Sequence, residues 1–456
     1  MKRYFAVLFL LLLAPIAKGQ DLPLIKISAN NQYLVTENEQ AFFWLGGTAW
    51  ELIHRLTREE VELYMTDRKN KGFTIIQTVI LAELDGLNTP NAYGYKPLIN
   101  NDPTKINEEY FRHADFVINT AKELGLYIGL LPTWGDKYHK AWGVGPEIFT
   151  AENARIFGEI LAKRYASKNN IIWILGGDRW PEDDEDRNII NAMAEGIRTH
   201  DTSHLITLHP TAPNLASNFF NEKWLDFDMY QAGHDRTGKD FEFVWKSREV
   251  KPIRPVVNGE PRYENHPDRF KPEVYGWMDD SDVRSSAYWT MLAGAAGYTY
   301  GSHDIWQMYS SDKEPINGAR TDWKESLRLP GSGQLKYMKD LLVSFPWQQM
   351  ANDQSAVLNE NILDSTFIIA SVGVNKDFMV FYTPMGKPIT PDLSKFNARK
   401  VKAYWFNPRD GHTKGIGEYD VTEKIEFKPW SVGRGSDFVL IIMDKNANYK
   451  LPGSNK

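Results

Sequence analysis

Phe42-Phe43-Trp44-Leu45-Gly46-Gly47-Thr48-Ala49-Trp50, then Thr57-Arg58-Glu59-Glu60, then Gly72 and the run Phe73-Thr74-Ile75-Ile76-Gln77-Thr78-Val79-Ile80-Leu81, reads as one complete βαβ unit. Thr57 with Glu60 three residues on is a capping box, in which each side chain satisfies the other's free backbone N–H. Val61, Tyr64, Met65 and Arg68 follow at helical spacing, and Gly72 ends the helix. The run after it is apolar and β-branched at nearly every position, as a strand buried on both faces must be. The cycle continues outward: strands are expected at 126–132, 171–176, 205–209, 227–231, 255–259 and 298–300, eight with the first two. The helices between them centre on Phe111–Leu124, Ala151–Tyr165, Asp186–Thr199, Phe241–Glu249 and Val283–Ala293, with a helix-poor stretch after the fifth strand. Eight such units predict a closed (β/α)8 TIM barrel, with chemistry at the C-terminal strand ends. The rival open, doubly wound sheet would carry a glycine-rich phosphate loop after its first strand, and none is written there.

On either side of the barrel the character of the chain changes. Lys2 and Arg3 precede the apolar stretch Phe5–Ile16 and the small residues around Ala17-Lys18-Gly19, so residues 1–19 are expected to be a cleaved export signal. Leu335, Met338, Leu341 and Leu342 suggest a closing helix, and Phe345-Pro346 breaks it. From there, strand-like runs at 366–374, 378–383, 401–407, 424–429 and 438–443 follow one another without helical spacers. The expected organisation is therefore a signal (1–19), a catalytic barrel (20–349) and a small antiparallel β-sandwich (350–456), with Trp405, Phe406 and Trp430 read as its core. No flexible linker separates the two domains, so close packing is expected.

Composition narrows the chemistry. The chain has 53 basic and 59 acidic residues, a net charge of -6, and no basic run that would track a nucleic acid. It has no cysteine, which removes disulfides, thiolate metal sites, cysteine nucleophiles and a lipidated N-terminus. The expected product is a monomeric periplasmic or secreted enzyme, free of the membrane after signal cleavage and needing no metal or other cofactor. Its 15 Trp and 21 Tyr exceed the needs of a core and suit sugar rings.

Two strand ends carry carboxylates in revealing contexts. Ile171-Ile172-Trp173-Ile174-Leu175-Gly176-Gly177-Asp178 lifts Asp178 to the top of strand four, and Pro255-Val256-Val257-Asn258-Gly259-Glu260 lifts Glu260 to the top of strand seven. These strands face each other across a barrel mouth, so the two groups can flank one glycosidic bond, an acid at the leaving oxygen and a second group at the anomeric carbon. The competing reading is that each carboxylate caps the segment after it. Around the pair, Trp50, Trp134 and Trp306 are candidate stacking platforms, and Gln77, His209, Gln231, His234 and His303 candidate partners for hydroxyls. Tyr230 is expected to orient Glu260. Arg179 and Arg262, next to the carboxylates, are candidates either for a substrate carboxylate or for an ion pair that holds the site.

Phe43-Trp44-Leu45-Gly46-Gly47-Thr48-Ala49-Trp50-Glu51, Trp173-Ile174-Leu175-Gly176-Gly177-Asp178 and Asn258-Gly259-Glu260-Pro261 together resemble the apiosidase-like glycosidases, glycoside hydrolase family 140. In that family the barrel precedes a small β-domain labelled as collagen-binding, whose hallmark Tyr404-Trp405-Phe406-Asn407-Pro408-Arg409-Asp410-Gly411 resembles. The resemblance implies a retaining mechanism related to clan A glycosidases, with Asp178 as acid/base and Glu260 as nucleophile. It also implies release of apiose-linked side chains from the pectin rhamnogalacturonan-II. The Gly-Asp pair departs from the Asn-Glu of the wider clan and agrees with the apiosidase-like branch. A clan A glycosidase on another pectic or hemicellulosic side chain, or a glycan-binding protein without catalysis, are the alternatives. A metal-dependent hydrolase would need clustered ligands, and neither His-x-His on strand one nor a Glu-x-x-His helix pair is present.

Overall fold

The apolar runs become strands because each is buried along its whole length, as a parallel sheet covered on both faces requires. In the computed structural model, which describes residues 21–454, they are β1 (Trp44–Thr48), β2 (Ile75–Leu81), β3 (Tyr127–Thr133), β4 (Ile171–Gly176), β5 (Ile206–His209), β6 (Asp228–Gln231), β7 (Val256–Glu260) and β8 (Gly297–Tyr300). The signal expected over 1–19 lies outside the described residues. The strands pair in parallel in the order β5-β4-β3-β2-β1-β8-β7-β6, with the short strand Asn214–Leu215 antiparallel on β6 as a ninth. The sheet curls until its ends meet. At the seam the Asp226 N–H donates to the Ile206 carbonyl (2.9 Å) and the Thr207 hydroxyl donates to the Phe227 carbonyl (2.7 Å).

Period-two alternation divides the strand side chains between two cores. Ile75 and Val79 of β2 share one core with Ile172 and Ile174 of β4. Ile76 and Ile80, with Trp173 and Leu175, pack instead in a second core against the helices. Those helices are α1 (Arg58–Asn70), α2 (Glu108–Glu123), α3 (Ala151–Tyr165), α4 (Asp184–His200), α5 (Asp240–Glu249), α6 (Asp280–Leu292) and α7 (Pro330–Leu342). The Thr57–Glu60 capping box opens α1. Between β5 and β6 the described residues form no α-helix, only the short strand Asn214–Leu215 and a 3-10 turn at Ala216–Asn218. No helix among the described residues is long and apolar enough to cross a membrane.

Beyond α7 the chain forms β9 (Met350–Asn352), β10 (Ile369–Gly373), β11 (Phe378–Thr383), β12 (Lys400–Phe406), β13 (Thr413–Asp420) and β14 (Phe438–Asp444), antiparallel in the order β9-β10-β11-β14-β12-β13. One face of this sheet, with Ile369, Phe378, Val380, Tyr382, Val439 and Ile441, joins the core of α6 and α7. The alternate residues Ala370, Met379, Phe381, Leu440 and Ile442 are covered by Ala356, Ile389, Leu393, Phe396 and Phe427. This second layer of the sandwich is reduced to isolated bridges, Val357–Pro391 and Ile389–Phe427, so the strand expected at 424–429 is a single bridged residue. β13 was not expected, because Gly415, Gly417 and charged residues fill it; as an exposed edge it needs no apolar alternation. Trp405 and Phe406 are core residues, whereas Trp430 is 53% exposed, one edge against Phe438.

The barrel and the β-domain meet through α6. Arg284 donates two hydrogen bonds to the Asp437 carboxylate (2.9 and 2.8 Å), and both side chains are 1% exposed. Tyr382 donates to the same carboxylate (3.2 Å), and its ring stacks on Tyr288 at 4.6 Å. The Trp289 indole donates to the Phe367 carbonyl (3.0 Å), and the Ser371 hydroxyl donates to the Leu292 carbonyl at the end of α6 (2.6 Å).

Candidate active site

The end of β4 is a backbone device. Gly176, Gly177 and Asp178 take φ values of 84°, 111° and 54°, three left-handed residues in succession. A Cβ at Gly176 would lie 2.5 Å from the His209 carbonyl oxygen, and one at Gly177 would lie 2.8 Å from the Gly135 nitrogen. Only glycine fits both positions, and the turn that results swings Asp178 over the barrel mouth. At β7 the pairing with β6 shifts register between Asn258 and Glu260, a local irregularity of the kind that re-aims a side chain at a site.

Glu260 is almost fully buried and meets three neighbours. Gln231 Nε2 donates to Oε1 (3.0 Å), His234 Nε2 stands 3.1 Å from Oε1, and His209 Nε2 stands 3.1 Å from Oε2. The same His209 ring accepts the Asp178 N–H at Nδ1 (3.3 Å), which leaves the remaining ring proton on Nε2, near Glu260 Oε2 but not aligned for a hydrogen bond to it. One imidazole thus stands between the tops of β4 and β7.

The two carboxyls are pushed in opposite directions. Burial, the charge of Glu260 and that of Glu83 drive Asp178 far above the ordinary aspartate range, against the opposing pull of Arg179. Burial would raise Glu260 as well, but its close contacts with His209 and His234 outweigh it and hold that carboxyl below its usual range. At neutral pH the site holds one protonated and one ionised carboxyl, the pattern that separates a proton donor from a nucleophile.

Both open into a cavity of about 620 Å³ whose wall includes Trp50, Trp134, Trp306, Gln231 and His234. Trp50 and Trp134 lie 5.1 Å apart and pack on His209. Trp134 Nε1, Gln231 Oε1 and His234 Nδ1 are buried without a protein partner. Among the described residues no group of three or more His, Asp or Glu is arranged to hold a metal ion.

Five expected contacts stand elsewhere, the first being His209, fully buried behind the wall against the Asp178 N–H and Glu260. Gln77 lies inside the barrel, donating to the Gly259 carbonyl (3.0 Å) and accepting from Thr299 (3.0 Å). Tyr230 points out of the barrel, its hydroxyl on Thr290 (3.0 Å) and its ring stacked on Phe243, so it does not orient Glu260. Arg262 turns away to Asp240 and to Ser285 (3.0 Å) beneath α5 and α6, an ion pair rather than a substrate contact. His303 sits behind the wall, its Nε2 on the Asn317 carbonyl (3.2 Å) and its ring 4.4 Å from His266. In place of Tyr230, Tyr263 borders the cavity beside Glu260, and burial first, then the Glu260 charge, drives its hydroxyl well above the ordinary tyrosine range. The wall also includes Glu83, Trp142, His266, Phe270 and Asn317, which sequence reasoning missed. Of these only Glu83 left a readable signal, a carboxylate two residues beyond a buried strand.

Comparison with known proteins gives the family and the fold. The family model "Apiosidase-like, catalytic domain" matches residues 28–349, and "Putative collagen-binding domain of a collagenase" matches 352–443. A crystal structure of a glycoside hydrolase family 5 protein from Bacteroides vulgatus ATCC 8482 is 32% identical over 94% of this chain and 96% of its own, with a TM-score of 0.87. A second solved structure, a glycoside hydrolase, is 33% identical over 94% and 98%, with a TM-score of 0.86. A family 39 glycoside hydrolase from the gut symbiont Bacteroides cellulosilyticus WH2 shares the fold alone, at 8% identity over 90% and 84% and a TM-score of 0.51. No curated protein sequence matches the chain. With its barrel matched from 28 to 349 and full-length relatives that are glycoside hydrolases, the chain belongs to the apiosidase-like family of glycoside hydrolases.

Proposed function

We propose that the protein is a retaining glycoside hydrolase of plant cell-wall polysaccharide that releases apiose-linked side chains of rhamnogalacturonan-II, with Asp178 as acid/base and Glu260 as nucleophile. The observation that carries this reading is the pair of carboxyls biased to opposite protonation states at one cavity. Asp178 gives its proton to the glycosidic oxygen as the bond to the anomeric carbon breaks, and Glu260 attacks that carbon to form a glycosyl ester. Water then enters, losing its proton to Asp178 as the ester bond breaks, and the anomeric configuration is retained after two inversions. The tryptophan faces suit sugar rings, and the unpartnered Trp134 Nε1, Gln231 Oε1 and His234 Nδ1 suit hydroxyls. Apiose specificity is supported by the family match, and export by the basic and apolar leader.

The direct test is incubation with rhamnogalacturonan-II, arabinan and xylan, with product identification and proton NMR of the first-formed anomer. Oligosaccharides ending in apiose, released with retained configuration, are expected from rhamnogalacturonan-II alone. Cleavage of arabinan or xylan instead would replace the substrate, and an inverted product would remove the nucleophile role from Glu260.

The same electrostatics predict a bell-shaped dependence of kcat/KM on pH. Activity falls at low pH as Glu260 gains a proton and at high pH as Asp178 loses its own. The alkaline limb should lie far above the ordinary aspartate range, and Asp178→Asn should abolish that limb. A profile with its alkaline limb near pH ~4, the unperturbed aspartate value, would contradict the assignment.

A further inference from the structure

Glu83, just beyond β2, has no part in the mechanism above, yet its carboxyl borders the same cavity as Asp178. Between them lies Arg179, which is fully buried. Its Nη2 stands 3.4 Å from Glu83 Oε1 and its Nη1 stands 3.4 Å from Asp178 Oδ2, while Nη1 also donates to the Asp178 carbonyl (2.8 Å). The guanidinium is held in this shared position by Trp142, whose ring centre is 4.0 Å away. Both carboxylate contacts are long for charge-assisted hydrogen bonds, so neither acid owns the cation.

We propose that Glu83 is a positioning residue for Asp178: by occupying one edge of Arg179 it prevents a tight Arg179–Asp178 ion pair, and so leaves on Asp178 the proton that the leaving oxygen needs. The inference rests on the acid/base reading of Asp178. Besides Arg179, Asp178 faces Glu260 from β7, His209 from β5 and Tyr138 from the loop after β3. Glu83 faces Arg179, the Asp136–Lys137 pair (2.6 Å) after β3, and Glu51 after β1, the last engaged by His54 at 2.6 Å. Burial first, and then the charges of Asp136 and Glu51 against that of Arg179, raise Glu83 to about 7. Loss of its charge acts on Asp178 in one direction only, because it removes a repelling anion and frees a cation.

The experiment is a titration of Asp178 by carbon-13 NMR of protein labelled at the aspartate carboxyls, with the signal assigned through Asp178→Asn, in wild type, Glu83→Gln and Glu83→Ala. Both substitutions at Glu83 should move the Asp178 midpoint down by about one pH unit, and Glu83→Asp, which keeps the charge, should restore it. The alkaline limb of kcat/KM should follow the same shift. A midpoint unchanged or raised in the folded variants overturns the proposal. The titration needs no substrate, so a shift in a protein that cleaves no glycan supports the role of Glu83 and refutes the catalytic reading alone.

Discussion

Glu260→Gln is expected to lower kcat by about 10⁴-fold or more on any substrate the wild type cleaves, with the fold intact. The side chain is nearly isosteric, and its amide oxygen can keep the contacts to Gln231 and His234 that now hold Oε1. What disappears is the ionised oxygen at the anomeric carbon, for which no neighbouring group substitutes. Added azide should restore part of the rate in Glu260→Ala and yield a glycosyl azide of inverted configuration, since the small anion enters from the face the carboxylate left. Asp178→Asn should lose about 10²- to 10⁴-fold, and least on substrates whose leaving group needs no proton. Near-wild-type turnover in either variant, with circular dichroism unchanged, would refute the pair.

Truncation after Phe345 is the second large effect. It uncovers the apolar side of α6 and α7, where Val283, Tyr288, Met291, Leu335 and Met338 now share a core with the β-domain. It also strands Arg284, a buried cation, without the Asp437 carboxylate that receives two of its hydrogen bonds. Insoluble or strongly destabilised protein is expected, measured as soluble yield and thermal unfolding. The single substitution Asp437→Ala should by itself cost about 3 kcal/mol, because the buried Arg284 loses its buried carboxylate and keeps only the partly exposed Asp280. A soluble, fully active barrel, together with an isolated β-domain that binds glycan or collagen, would instead make the domain a binding module.

What was legible in the sequence follows from how locally each feature is determined. The Thr57 capping box, the buried strands and the glycine-flanked Asp178 and Glu260 are written within ten residues of chain, and each stands at its expected place. Tyr230 was misjudged by one residue of phase. All four residues of β6 are buried, so burial pattern does not tell inside from outside, and it is Gln231 that turns to Glu260. Arg262 finds Asp240, 22 residues earlier, through the packing of two helices that no local pattern encodes. Much of the cavity wall is built the same way: Trp142, Tyr263 and His266 come from loops and Asn317 from a 3-10 turn, where neither period two nor period 3.6 applies.

The left-handed turn at the top of β4 also bears on which acid can stand there. Aspartate and asparagine, whose short polar side chains hydrogen-bond locally, visit positive φ far more readily than longer residues, whose excursion costs roughly 1–2 kcal/mol. With Asp178 at φ 54° after two glycines that nothing else can replace, a glutamate would strain the backbone and overshoot by one methylene. The choice between the two acids is thus settled by the path of the main chain, and an exchange that is chemically conservative becomes a conformational mismatch. Lineages of this architecture could trade one acid for the other only by remaking the turn as well.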